Sequence, residues 1–80
     1  MKIYVVLIDL SYEYDNTILV KLFKDGIKAE RFMLEKFEEL TKDNNYDIVE
    51  QTEYTCTAYN DGFFAENHCE IRVMEKEVEE

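Results

Sequence analysis

Eighty residues are enough for one domain and too few for two, and a single core of this size only just outweighs the entropy of the chain. Hydrophobic residues make up 46% of the sequence and eleven are Phe or Tyr, so the composition predicts a folded protein. The formal net charge of −10 disfavours direct binding to nucleic acid and to anionic membranes, and it attracts basic surfaces. We therefore expect residues 1–80 to form a single acidic domain.

The N-terminal stretch MKIYVVLIDL is apolar, but it has no small-residue cleavage site and runs directly into the polar SYEYDN. It is read as a strand and not as a leader. No run approaches the roughly 20 apolar residues of a membrane span. We expect a cytoplasmic protein in which Cys56 and Cys69 are reduced thiols.

The first half of the chain predicts a β-hairpin followed by a helix. Residues 2–12 and 17–23 are rich in β-branched and aromatic side chains and are joined by a short connection. Between Asp25 and Lys42 the apolar residues recur at spacings of three and four, which is typical of a helix, and Asp25 is a candidate N-cap.

The second half predicts another hairpin, formed by residues 48–59 and 63–74. Asp61-Gly62 is the pair that a two-residue type I′ turn favours. This turn fixes a register in which paired residues face each other as Ala58 with Ala65, Cys56 with Asn67, Tyr54 with Cys69 and Glu53 with Glu70. The predicted fold is therefore α+β, with element order ββαββ, a four-stranded antiparallel sheet and one helix packed on one face. Residues 74–80 are expected to be a frayed acidic tail.

Cys56, His68 and Cys69 are three candidate zinc ligands, but they lack paired CxxC spacing. Adjacent strand residues point to opposite faces, so His68 is expected to point away from both thiols. Buried thiols and a surface imidazole explain these residues better than a metal site does. We expect no metal and no cofactor.

The sequence also disfavours catalysis. Asp9 lies in an apolar strand, but solvation near the strand end, or pairing with Lys21, explains it more simply than a catalytic role. His68 has no nucleophile near it in the sequence. With only Gly26 and Gly62 available, no glycine-rich phosphate-binding loop is present. We expect a protein that is not an enzyme.

Two features indicate a binding surface. The first strand is apolar on both sides, because Ile3, Val5 and Leu7 alternate with Tyr4, Val6, Ile8 and Leu10, and one helix cannot cover both. Loops and the C-terminal tail, self-association, or a docked protein are the three ways to cover the second side. The other feature is the acidic second hairpin, where the expected Glu53–Glu70 pair would cost stability through like-charge repulsion. Splaying of both carboxylates into water, with Arg72 nearby, is the simpler explanation, and presentation to a basic partner is the alternative.

The whole chain, with MKIYVVLIDL, LFKDGIKAERFMLEKFEEL and a short acidic end, resembles the small acidic proteins of phages and mobile elements, including many anti-CRISPR proteins and other host-defence inhibitors. The resemblance covers size, charge and element order, and it includes no diagnostic motif. It implies an inhibitor that occupies the nucleic-acid-binding groove of its target, such as a CRISPR effector.

The leading hypothesis is therefore a protein-binding inhibitor of a nucleic-acid-handling complex that acts through an acidic, nucleic-acid-mimicking surface. The candidate partner-binding residues are Glu53, Tyr59, Asp61, Phe64, Glu66 and Glu70. The alternative is a structural or regulatory homodimer that associates through its apolar sheet face. A small-molecule-binding domain is a more remote third reading.

Overall fold

The computed structural model describes residues 1–12, 14–42, 46–61 and 66–79. These residues form one helix and a five-stranded antiparallel sheet whose strand order is β2-β1-β5-β4-β3. The elements are β1 (Lys2–Tyr12), β2 (Asp15–Phe23), α1 (Gly26–Thr41), β3 (Asp47–Gln51), β4 (Thr55–Asp61) and β5 (Glu66–Glu77). The α+β class is consistent with the sequence prediction, whereas the prediction of four strands is wrong.

The extra strand arises because the expected strand over residues 48–59 is broken by a tight turn. The backbone N–H of Thr52 donates to the carbonyl of Thr55 at 2.8 Å. The Thr52 hydroxyl oxygen accepts from the N–H groups of Tyr54 at 3.2 Å and Thr55 at 3.0 Å. A threonine side chain thus satisfies the backbone of the turn that separates β3 from β4.

The register of the β4–β5 hairpin also differs from the predicted one. Ala58 lies opposite Cys69 and not Ala65, and Asp61 lies opposite Glu66. Asp61 is therefore a residue of β4 and not part of a two-residue turn, while Gly62 lies outside the described residues. The predicted register was wrong because it took Asp61-Gly62 as the complete connection.

The helix begins where the sequence predicts. The Asp25 carboxylate accepts hydrogen bonds from the N–H groups of Ile27 at 2.8 Å and Lys28 at 3.4 Å, as an N-cap does. The helix packs on one face of the sheet over a core made of Val6, Ile8, Ala29, Met33, Phe37, Cys56, Ala58, Cys69 and Ile71. No helix among the described residues has the length and apolar character needed to cross a membrane.

The C-terminal segment keeps its strand structure up to Glu77. Residues Met74–Glu77 continue β5 and pair with the beginning of β1, where Lys2 lies opposite Glu77. The Lys2 ammonium group lies 3.3 Å from the Glu75 carboxylate, and this carboxylate raises the pKa of Lys2. The expectation of a frayed tail was wrong for these residues because β1 supplies backbone partners and positive charges for them.

Candidate protein-interaction surface

The side of the sheet that faces away from α1 is solvent-accessible, and we call it the open face. Antiparallel pairing places cross-strand partners on the same face. The row Ile18, Asp9, Glu70 and Thr57 therefore runs across β2, β1, β5 and β4 on the open face. The next row contains Ser11, His68, Tyr59 and Asp47. This face carries both of the features that the sequence singled out for binding.

The open face brings together three of the six predicted partner-binding residues. Tyr59, Glu66 and Glu70 share it, and Asp61 lies opposite Glu66 through its backbone position in β4. Phe64 lies outside the described residues. Glu53 is separated from this group, because it lies in the turn between β3 and β4 and lines a cavity with Tyr4, Gly26 and Glu30 beside the start of α1.

The predicted repulsive pair between Glu53 and Glu70 does not form. Glu70 lies opposite Thr57 on one side and Asp9 on the other, and its carboxylate forms a salt bridge with the guanidinium group of Arg72. Arg72 therefore neutralises Glu70, as the sequence reading allowed. Glu70 is consequently a weaker candidate for a partner contact than Glu66, which is exposed at the start of β5.

His68 lies between these two glutamates, on the face opposite the cysteines. Its ring centroid is 6.1 Å from that of Tyr59, and its Nε2 atom is 3.4 Å from Oδ1 of Asp9. Asp9 thus lies near His68 and not near Lys21. The ammonium group of Lys21 lies over the Phe32 ring, 4.7 Å from the ring centroid. The expected pairing of Asp9 with Lys21 is incorrect because the two side chains point to opposite faces.

The cysteines belong to the core beneath α1, and both are free thiols. Burial raises the pKa of the Cys69 thiol to about 11, and the nearby Cys56 adds to this shift. Burial also raises the pKa of Cys56. Among the residues that the structure describes, no three His, Cys, Asp or Glu side chains are grouped so that they could hold a metal ion. The thiols are protonated core residues near neutral pH.

Negative charge is concentrated in the half of the sheet made by β3, β4 and β5. Residues 43–71 contain seven Asp and Glu residues and no Lys or Arg. On the open face of this half, Asp47 lies opposite Tyr59, and Glu50 lies opposite Thr57. We call Asp47, Glu50, Glu66 and Glu70 the acidic patch. Asp47 and Glu50 were not among the predicted site residues, although the absence of basic residues from 43–71 can be read directly from the sequence.

The other half of the open face is apolar. In β2 the exposed fractions of Ile18, Val20 and Leu22 are 60%, 59% and 60%. Val20 lies opposite Leu7 and Leu22 opposite Val5, so these side chains form one surface with the partly buried open-face residues of β1. The apolar second side of β1 that the sequence predicted is therefore present and extends to the edge of the sheet.

A groove of about 540 Å³ lies between α1 and β3 on the helix side of the sheet. It exists because α1 packs closely over β1, β2, β4 and β5. Among the described residues, α1 does not pack closely against β3. Leu34, Phe37 and Ile48 give it an apolar lining, and Glu30, Glu35 and Glu38 border it. Its shape offers space for a ligand.

Comparisons with family models, with curated proteins and with solved structures find no match for this chain.

Proposed function

We propose that the protein is a non-catalytic inhibitor that binds a nucleic-acid-handling complex in the cytoplasm and occupies a cationic groove of that complex with its acidic patch. A CRISPR effector is one target of this kind. The proposal rests on one observation above all, which is that residues 43–71 contain seven Asp and Glu residues and no Lys or Arg, and that several of these acids lie on one antiparallel sheet.

Strand geometry supports this role. Glu66 and Glu70 are four residues apart on β5, which corresponds to about 13 Å along a strand. Asp47 and Glu50 extend the negative charge sideways to the β3 edge. Because the sheet already fixes the backbone positions of these carboxylates, little backbone entropy is lost when they meet fixed cations.

Tyr59 supplies a contact of another kind within the same patch. Its side chain is 37% exposed and lies between Asp47 and His68 in one cross-strand row. A tyrosine ring combines apolar area with a hydroxyl group and is enriched among the residues that dominate binding energy. Tyr59 is therefore the proposed anchor, and the surrounding carboxylates provide long-range attraction and orientation.

A structural or regulatory homodimer is the second candidate function. The apolar side chains that β2 exposes on the open face favour this second function. The two functions use different parts of the sheet, so neither excludes the other.

Inhibition is tested with a panel of purified nucleic-acid-binding complexes, including RNA-guided nucleases loaded with guide RNA. The readout is the binding of labelled target DNA at increasing concentrations of the protein. We expect displacement of DNA from at least one complex, and we expect this inhibition to weaken as salt is raised.

The Asp47→Lys/Glu66→Lys variant removes charge from the acidic patch. The matched control is Glu35→Lys/Glu38→Lys, which changes the net charge equally on exposed positions of α1. We expect the first variant to lose inhibition and the control to retain most of it. If both variants lost inhibition equally, only a nonspecific charge effect would remain. If the unaltered protein inhibited none of the complexes, the proposal would be rejected for the classes tested.

A further inference from the structure

Strand β2 is a long edge strand whose outer side is unpaired in the described part of the chain. It is exposed on both faces, because Ile18 and Val20 point to the open face while Leu19 points to the helix side with 47% of its surface exposed. A long apolar edge of this kind presents free backbone N–H and C=O groups, and proteins ordinarily protect such edges.

Lys21 does not give β2 this protection. A lysine that projects from an edge strand opposes pairing with another chain, because pairing would bury its charge. Here the ammonium group of Lys21 is turned inward over the rings of Phe23 and Phe32, at 5.7 Å and 4.7 Å from their centroids. The cation–π contacts hold this charge beside α1, so the edge remains open to a further strand.

The distribution of charge indicates that a second copy of the chain fits this edge. Residues 14–28, which contain β2 and its flanks, carry three lysines and two aspartates, for a net charge of +1. Five acids that lie in strands belong instead to the other half of the sheet, which ends at β3: Asp47, Glu50, Asp61, Glu66 and Glu70. Two copies that meet at β2 therefore keep their most acidic regions farthest apart.

We propose that β2 pairs antiparallel with β2 of a second copy about a two-fold axis at Leu19, which joins the two sheets into one. With a two-fold axis perpendicular to the sheet, the open faces of the two copies lie on the same side of the joined sheet. Paired residues must therefore both be odd-numbered or both be even-numbered. Leu19 is the central residue of Asp15–Phe23, and an axis there pairs the strand along its whole length. Shifting the axis by one residue leaves two residues of each strand unpaired.

Side chains are complementary in this register. Ile18 lies opposite Val20 of the second copy, which extends the apolar half of the open face across the axis. On the helix side, Lys21 lies opposite Thr17 of the second copy, so Lys21 keeps its cation–π contacts and no like charges face each other. The acidic patches lie on β3 and β5 and not on β2, so this assembly is separate from the proposed inhibitory contact.

The oligomeric state tests the proposal directly. Light scattering and sedimentation of the full chain, over a range of concentrations, should give a species with twice the monomer mass of 9.6 kDa. Leu19→Lys places two lysines beside each other at the axis and should raise the dissociation constant about tenfold or more. The matched control is Val49→Lys on β3, the opposite edge strand, where the side chain is 65% exposed. It should leave the dimer intact.

Circular dichroism and thermal midpoints of the two lysine variants show whether each is folded. A folded Leu19→Lys variant that dimerises like the control would overturn the proposal and point to association through the open face. A protein that stays monomeric at every concentration would overturn it as well.

Cysteine cross-linking tests the position of the axis independently of stability. Leu19→Cys places two thiols on residues that face each other directly, within the range over which a disulfide forms. Leu22→Cys is the control, because in this register residue 22 lies opposite residue 16 and the two new thiols are about 20 Å apart. Oxidation should link the first variant into a covalent dimer and not the second. The reverse result, or equal linkage of both, would reject the axis at Leu19.

Discussion

Oδ1 of Asp9 in β1 lies 3.4 Å from Nε2 of His68 in β5, in the middle of the open face. This oxygen atom is buried from solvent and accepts no hydrogen bond, so the two groups are within ion-pair distance but lack hydrogen-bond geometry. A carboxylate oxygen that is buried without a hydrogen bond lowers the stability of the folded state.

Replacing Asp9 with valine should stabilise the protein. Asp9→Val removes the buried acceptor and places a β-branched side chain opposite Ile18, so the free energy of unfolding at pH 8 should rise by about 1 kcal/mol. Urea unfolding of the two proteins at pH 8 measures this. A loss of stability at pH 8 would show that the carboxylate is better satisfied than its geometry indicates.

The N-cap makes a second prediction. Asp25→Ala removes the acceptor for the N–H groups of Ile27 and Lys28, and it should lower the free energy of unfolding by about 1 kcal/mol. Asp25→Ser should restore most of this loss, because a hydroxyl oxygen also caps. Asp47→Ala serves as the control, since Asp47 is exposed in an edge strand and should change stability by less than about 0.5 kcal/mol. Equal effects of the two alanine variants would argue against a capping role.

The elements that the sequence predicts best are those with local signals. The helix is marked by Asp25 and by apolar residues at spacings of three and four, and it forms from Gly26 to Thr41. The turn between β3 and β4 has no such signal, because Thr52, Glu53 and Tyr54 include neither glycine nor proline. Threonine and tyrosine both favour strands, so composition alone continues one strand through this turn.

The sequence predicted the face on which each side chain lies better than it predicted which residues are neighbours in the site. The expected partner of Ala58 was residue 65 and the actual partner is Cys69, a shift of four residues. An even shift keeps each side chain on its face, so Cys56 and His68 still lie on opposite sides of the sheet. Particular neighbours do not survive such a shift, and the Glu53–Glu70 pair was lost for this reason. Register depends on the whole connection, which a two-residue motif does not determine.

Gly26 makes a third prediction, through its contact with Tyr4. An added Cβ atom would lie 3.0 Å from the Cε1 and Cζ atoms of the Tyr4 ring, closer than ordinary van der Waals contact. Gly26→Ala should therefore lower the free energy of unfolding by about 1 kcal/mol, although alanine itself suits a helix better than glycine.

A double-mutant cycle separates these two effects. In a Tyr4→Leu background the ring is absent, and Gly26→Ala should then be neutral or stabilising by up to about 1 kcal/mol. The same destabilisation in both backgrounds would place the conflict somewhere other than the Tyr4 ring.

The buried Cys69 thiol makes the final prediction, a loss of stability at alkaline pH. In the unfolded chain this thiol loses its proton near its ordinary pKa of 9.0, whereas burial in the folded protein holds its pKa at about 11. Between these values the folded state binds more protons than the unfolded state, so the free energy of unfolding falls as pH rises. The loss attributable to this thiol should be on the order of 2 kcal/mol between pH 9 and pH 11.

The Cys69→Ala variant isolates this contribution. Truncation should destabilise the core at every pH, so the informative quantity is the slope of stability with pH and not its absolute value. Lysine and tyrosine titrations are shared by the two proteins and largely cancel in the comparison. Urea unfolding at pH 8, 9, 10 and 11 should give a shallower decline for the variant. Parallel curves would mean that the thiol is ionised as easily in the folded protein as in the unfolded chain, which its complete burial between α1 and the sheet opposes.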